Sequence, residues 1–416
     1  MIELLFAKKQ TMEERESKKA RGEEPLLRYN LHEPLMDMAA LFGPSVTRVL
    51  LTTMNCDVEW LREAFPLAGR QACLCARDEL VVPKGWTFVR AVAGEYGVPH
   101  GKLMLLQEGE EAVTVVVTTA NLVPTDYTKR SNAFWSQRFA TRRRAEGPRR
   151  PIGFTRARND FGEVLLDYLE RLGIPAEWTQ IVAALDMTDA RAVLVSSVPG
   201  MHTRADAWNY GQGRLQRLLQ VEGREGRGPL LAQVTSVGYL TPGFVAQLSM
   251  ALGGPLELVW PSVETVRAGQ NGYEDGLHIC LTAKNSAQAR RLFRHQYISR
   301  PPQASPHIKS FFRLAQDAGE HELQFLYCGS HNLSRPAWGE RRATDRALEV
   351  MSFEIGVLFF PRLLQRERLF FEDFALPFEF PAVPFEGGGG EPWVWDVAHD
   401  QPDRFGHTYG ADMTIN

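Results

Sequence analysis

HGKLMLLQEGEEAVTVVVTTAN at residues 100–121 and HIKSFFRLAQDAGEHELQFLYCGSHN at residues 307–332 are two versions of one pattern. Each opens on His-x-Lys, with His100 and Lys102 in one copy and His307 and Lys309 in the other. Each then runs through an apolar, strand-like stretch, Ala112 to Thr118 or Leu323 to Cys328, and closes on a small-residue turn before Asn121 or Asn332. The His-to-Asn interval is 21 residues in the first copy and 25 in the second. On extended backbone, residues i and i+2 share a face, so each His projects beside its Lys. A pattern made twice predicts a duplicated fold with one half-site in each copy.

The residue types suit phosphate. Lysine offers a compact charge with three donors, and asparagine adds an uncharged amide donor. Two imidazoles allow one to attack phosphorus while the other protonates the leaving oxygen. The lysines hold the charge of the five-coordinate transition state, so neither metal nor other cofactor is expected. Chemistry alone leaves open which histidine takes which role. With 10 His and 9 Lys in 416 residues, random order gives roughly 0.2 His-x-Lys triplets. The chain also has 38 Arg, yet it places Lys at both motif positions.

The rest of the chain reads as alternating strands and helices, which argues α/β layers. Strand-like runs fall at 48–53, 72–75, 86–92 and 192–197 in the first half, with helices at 57–65 and 162–172. In the helix at 162–172, Val164, Leu165, Tyr168 and Leu169 share one face. The second half restarts with helices at 213–219, 242–252 and 286–295 and strands at 231–237, 256–260 and 278–281. Leu348 to Phe360 reads as one buried strand. The expectation is two similar α-β-α sandwich domains related by a pseudo-two-fold axis: a charged lead-in at 1–24, then domains at 25–200 and 201–416.

Composition fits a globular protein: 44% apolar, 23% charged, net charge −3, with no apolar run of membrane-spanning length. Five cysteines, at 56, 73, 75, 280 and 328, form neither a disulfide framework nor paired CxxC zinc spacing and read as reduced packing residues. Lys129 to Arg150 carries eight basic residues against Glu146 and reads as a loop, either a sequence-blind contact to a phosphate backbone or a solvated segment. The four glycines at 387–390 lack the strand-to-helix context of a phosphate loop. Glu354 sits inside the apolar run, where a carboxylate needs a donor; an active-site imidazole or an arginine would serve.

The paired HxK…N motifs resemble the phospholipase D superfamily. The superfamily's usual aspartate, five residues after the lysine, is replaced by Gln107 and Leu314. That absence, with ThrThrAlaAsnLeu at 118–122, SerHisAsnLeuSerArgProAlaTrpGly at 330–339 and SerPheGluIleGlyValLeuPhe at 352–359, resembles the tyrosyl-DNA phosphodiesterase branch. The resemblance implies that His100 attacks a DNA 3′-phosphorus and that His307 protonates the departing tyrosine, then activates water. It implies Lys102, Lys309, Asn121 and Asn332 as phosphate clamp and Glu354 as support for His100. The family's glutamine partner of the second histidine is Asn132 here, a shorter amide. Tyr96, Ser334, Arg335, Thr235 and Ser236 match DNA-side positions, Tyr239 stands where a serine is expected, and Trp395 matches a peptide-side tryptophan; Ser330, just before the second motif's end, reads as a phosphate donor or a turn cap. The implied partners are single-stranded DNA 3′ ends and a tyrosyl peptide from a type IB topoisomerase. The implied protein is a nuclear monomer that acts in DNA repair away from membranes. A related lipid or DNA phosphodiesterase, or a DNA-end binder without activity, are the other readings.

Overall fold

Alternating burial explains the sheets. In Ala112–Thr118, Val113, Val115 and Val117 face a central core while Val116 faces an outer one, and all four are buried. Strands covered on both faces read as nearly continuous apolar runs. The computed structural model describes residues 26–29, 38, 40–142, 150–223, 228–300, 304–315, 321–374, 376–385 and 390–415.

The first half contributes β1 (Arg28–Tyr29), β2 (Val46–Thr52), β3 (Gln71–Ala76), β4 (Thr87–Arg90), β5 (Leu103–Glu108), β6 (Ala112–Thr118), β7 (Arg130–Ser131) and β8 (Ala133–Ala140). The second contributes β9 (Val193–Ser197), β10 (Gly200–His202), β11 (Leu230–Gln233), β12 (Leu256–Trp260), β13 (Phe293–Gln296), β14 (Ser305–Pro306), β15 (Ser310–Leu314), β16 (Glu322–Gly329), β17 (Glu340–Arg341), β18 (Leu348–Val350) and β19 (Glu354–Phe359). One sheet runs β1-β8-β6-β5-β2-β3-β4; the other runs β9-β19-β16-β15-β11-β12-β13. Six strands of each sheet repeat one arrangement. β2, β3 and β4 pair in parallel as β11, β12 and β13 do, and β5, β6 and β8 add antiparallel as β15, β16 and β19 do.

The sheets share the central core, into which Phe161–Arg171 sinks Phe161, Val164, Leu165, Tyr168 and Leu169. Gly211–Glu222 and Pro242–Leu252 cover the outer face of the second sheet, and Val58–Ala64 covers that of the first. The α/β class, the strand at 112–118 and the helices at 57–65, 162–172 and 242–252 are as expected.

Four expectations need correction. The strand expected at 278–281 is a turn with a single bridge from Cys280 to Ser236; the third parallel strand is β13, inside the segment expected to be helical to 295. That helix stops at Ala289, and Phe293, which sits against the outer core, takes the chain back to the sheet edge. The single strand expected at 348–360 is β18 and β19, broken at Met351-Ser352-Phe353 so that each can join a different sheet. The basic segment at 129–150 is not all loop: β8 pairs with β6, with Ala133, Phe134 and Trp135 buried. Within it Lys129 pairs with Glu274, Arg130 with Asp126 and Arg138 with Glu108, while 143–149 lie outside the described residues, as do the whole lead-in at 1–24 and 387–389. β9 belongs to the second sheet, so the sheets divide the chain before Val193.

All five cysteines are free thiols. Burial pushes Cys73 and Cys75, in β3 against the central core, up to about 12. Among the described residues no helix is long and apolar enough to cross a membrane.

Candidate active site

β5 and β15 begin directly after the two His-x-Lys motifs, and β6 and β16 return antiparallel to carry Asn121 and Asn332 to the same edges. The backbone of each motif is then held by the opposite half. The N–H groups of His100 and Gly101 both donate to the Phe353 carbonyl, at 2.8 and 3.0 Å. Those of His307 and Ile308 both donate to the Ser131 carbonyl, at 2.9 Å each.

The residue after each carbonyl takes the ring. His100 Nδ1–H donates to Glu354 Oε2 at 2.9 Å, and His307 Nδ1–H donates to Asn132 Oδ1 at 2.9 Å. Both acceptors fix the tautomer and leave Nε2 for substrate. Each lysine Nζ donates to the carbonyl of its own histidine at 2.5 Å. The lysines are 1% exposed and the histidines 9% and 8%, so solvent reaches the rings first.

Burial is the largest cause of every cationic shift here. It lowers Lys309 to about 7, with facing Lys102 adding to the effect and Asp126 and Glu354 opposing it. It lowers Lys102 to about 8 against the pull of Glu354 and Asp126. His100 is lowered by burial, partly offset by Glu354, and His307 is lowered further by burial and by Lys309, His278, Lys102 and Arg130. Burial alone would raise Glu354, but the charge and hydrogen bond of His100, with His331 and Lys102, hold it below its ordinary value. Lys309 acts on His100 and Lys102 on His307, so the two halves face one site. An anion entering it restores the lysine charges.

Asn332 Oδ1 accepts from the backbone N–H of Thr235 at 3.3 Å and of Ser236 at 3.0 Å, which leaves its amide N–H groups as the part offered to substrate. Asn121 Oδ1 faces Asn55 N–H at 3.4 Å, and its Nδ2 donates to Asp126 Oδ2 at 3.0 Å. Asn132 reaches His307 directly; its oxygen also accepts from Thr119 Oγ1 at 2.8 Å, and its Nδ2 donates to the Asp126 carbonyl at 2.8 Å. The shorter amide is therefore firmly held.

The outlying candidates divide. Tyr96 is 76% exposed, four residues before His100. Ser236 serves the cluster through its backbone N–H, and Thr235 through both its backbone N–H and its hydroxyl, which donates to Asn332 Oδ1 at 3.4 Å. Ser330 Oγ is engaged with the main chain of Ile355, and Ser334 caps the short helix Arg335–Trp338 by accepting from Ala337 N–H at 3.4 Å. Arg335 pairs with Glu340 at 2.5 Å. Trp395 is half-buried against the outer core of the second half, with its backbone bonded to Leu281.

Sequence reasoning missed Asp126, His278 and His331. Asp126 is fully buried, with Oδ2 3.5 Å from His307 Nδ1. An aspartate just after a proline reads as an ordinary helix start, which hid it. The His278 ring lies 5.9 Å from that of His307, with Nε2–H facing the Pro306 carbonyl at 3.1 Å. His331, beside Asn332, spans Tyr327 and Ser197. Among the described residues no group of three or more His, Cys, Asp or Glu is arranged to hold a metal ion.

A family model described as tyrosyl-DNA phosphodiesterase matches residues 37–386. A protein of Arabidopsis thaliana, tyrosyl-DNA phosphodiesterase 1, is 26% identical over 453 residues, covering 88% of this chain and 72% of that one. A probable tyrosyl-DNA phosphodiesterase of Caenorhabditis elegans is 29% identical, covering 84% of this chain and 82% of its own. A crystal structure of the yeast tyrosyl-DNA phosphodiesterase superposes with a TM-score of 0.68 at 13% identity, over 88% of this chain and 100% of that one.

Proposed function

The chain belongs to the tyrosyl-DNA phosphodiesterase family, and we propose that it hydrolyses the 3′-phosphotyrosyl bond between a DNA end and a peptide through a phosphohistidine. The observation that carries this reading is the reciprocal clamp: each imidazole is aimed by the opposite half, with two lysines and two asparagines around one site.

His100 Nε2 attacks phosphorus, the bond to the tyrosyl oxygen breaks, and the His307 Nε2 proton passes to that oxygen. A water then attacks phosphorus, gives its proton to His307 Nε2, and the P–N bond breaks to leave a 3′-phosphate and free His100. Glu354 supports this order of roles. Phosphorylation at Nε2 with Nδ1–H retained puts positive charge on the ring, and a carboxylate at 2.9 Å stabilises it. The neutral Asn132 amide aims His307 and fixes its tautomer.

The reading extends to single-stranded 3′ ends, held by backbone charge and by exposed Tyr96 as a stacking ring. It also takes in a topoisomerase-derived peptide, action as a monomer and a nuclear site of action. The test is cleavage of a 3′-phosphotyrosyl oligonucleotide in EDTA. Wild type should release 3′-phosphate DNA and His100→Ala should not; DNA binding without cleavage would leave only a DNA-end binder.

A further inference from the structure

Asp126 has no counterpart in the other half. Aligning the turns after Asn121 and Asn332 sets Leu122 against Leu333 and Asp126 against Ala337. Its side chain is fully buried, where a carboxylate must be heavily compensated. Oδ2 accepts from the Asn121 backbone N–H at 2.7 Å and from Asn121 Nδ2 at 3.0 Å; Oδ1 accepts from Arg130 at 2.8 Å. Oδ2 also stands 3.5 Å from His307 Nδ1, behind the shorter contact to Asn132.

We propose that Asp126 is the positioning carboxylate of His307, holding its imidazolium form for protonation of the leaving group while fixing Asn121 of the opposite half-site. This deepens, and rests on, the assignment of His307 as general acid. The need is electrostatic. Lys309, His278, Lys102 and Arg130 all disfavour a second positive charge on His307, and Asn132, being neutral, does not offset them. Glu354 acts on Lys309 and bonds His100. Among the described residues, Asp126 is the carboxylate within ion-pair distance of His307 itself. One oxygen thereby ties the phosphate clamp of the first half to the acid of the second.

An acid role predicts dependence on the leaving group. Tyrosine departs as a poor leaving group and needs the proton; p-nitrophenol, much more acidic, needs it little. Asp126→Asn should slow release of tyrosine from a 3′-phosphotyrosyl oligonucleotide about 10- to 100-fold. Release of p-nitrophenol from the matching ester should slow by less than about three-fold on the same scale. The direct readout is NMR titration of the His307 ring, which needs no turnover. Asp126→Asn should lower its pKa by about one unit, and Arg130→Gln, which removes the cation on the same carboxylate, should raise it. Equal losses for both leaving groups, or an unmoved His307 titration in Asp126→Asn, would overturn the proposal. If wild type cleaves neither substrate, the phosphodiesterase reading falls, while the titration still decides whether Asp126 holds the His307 proton.

Discussion

The two half-sites share a backbone and differ in side chains. Phe353 and Ser131 each offer one carbonyl to two amides of the opposite motif, and β5–β6 and β15–β16 deliver Lys and Asn alike. At equivalent positions, though, His100 meets the carboxylate Glu354 where His307 meets the amide Asn132. Gly101 stands where the second half has Ile308, and Asp126 where it has Ala337. Backbone bonds fix where the rings sit, and side chains decide what each ring does. A duplicated scaffold thus yields two chemically distinct histidines.

Breaking the symmetry at the rings should have the largest effect. His100→Ala should lose about 10⁴-fold or more in kcat for any leaving group, because the attacking atom is gone. In single-turnover release of the leaving group, His307→Ala should lose about 10²- to 10⁴-fold with tyrosine and far less with p-nitrophenol. Similar losses for both variants with both leaving groups would mean that the halves are not specialised.

The partners come next. Glu354→Gln keeps a hydrogen-bond acceptor but removes the charge, and should cost about 10²-fold in kcat. Asn132→Ala should cost about 10-fold in kcat, and Asn132→Gln less, because that amide only aims the ring. A larger loss at Asn132 than at Glu354 would reverse the role assignment.

A pH series sharpens the comparison at the lysines. Lys309, near 7, and Lys102, near 8, are charged below those values and lose their protons as pH rises through them. Orthovanadate should therefore bind about 10-fold more weakly at pH 8.5 than at pH 6.5, and binding near neutral pH should take up protons, measurable by calorimetry in buffers of different ionisation enthalpy. Affinity that is flat across this range would mean that the empty-site lysines keep ordinary values.

The smallest effect concerns packing. A Cβ on Gly101 would lie 2.0 Å from the Tyr168 hydroxyl, whereas Ile308 already fills the equivalent place. Gly101→Ala should destabilise by about 1–3 kcal/mol, partly restored by Tyr168→Phe, while Ile308→Val should cost about 1 kcal/mol. Thermal unfolding of the three variants checks this.

Much of this was legible in the sequence because the chemistry repeats. Period-two placement of His and Lys, the apolar runs and the two asparagines locate both half-sites, and an isolated Glu354 in an apolar strand marks a carboxylate that needs a donor. The strand order was not legible. β5 and β15 carry mixed residues such as Gln107 and Arg313, and β8 hides its apolar positions in a basic stretch. Arg313 is fully buried, with its guanidinium over the Phe325 ring and bonded to the Leu252 carbonyl, a compensation that no local pattern announces. Asp126 was hidden for the same reason, since its partners Asn121, Arg130 and His307 come together only in the fold.

In the proposed reaction His100 carries the covalent intermediate and His307 clears it. This division of roles is tested most directly by quenching His307→Ala during turnover of a labelled oligonucleotide bearing a 3′-p-nitrophenyl phosphate. This leaving group departs without an acid, so hydrolysis should stall for want of a base. A protein–DNA adduct should accumulate that peptide mapping assigns to His100 and that does not form in His100→Ala. An adduct on any other residue, or hydrolysis to 3′-phosphate with no adduct at any time point, would contradict it.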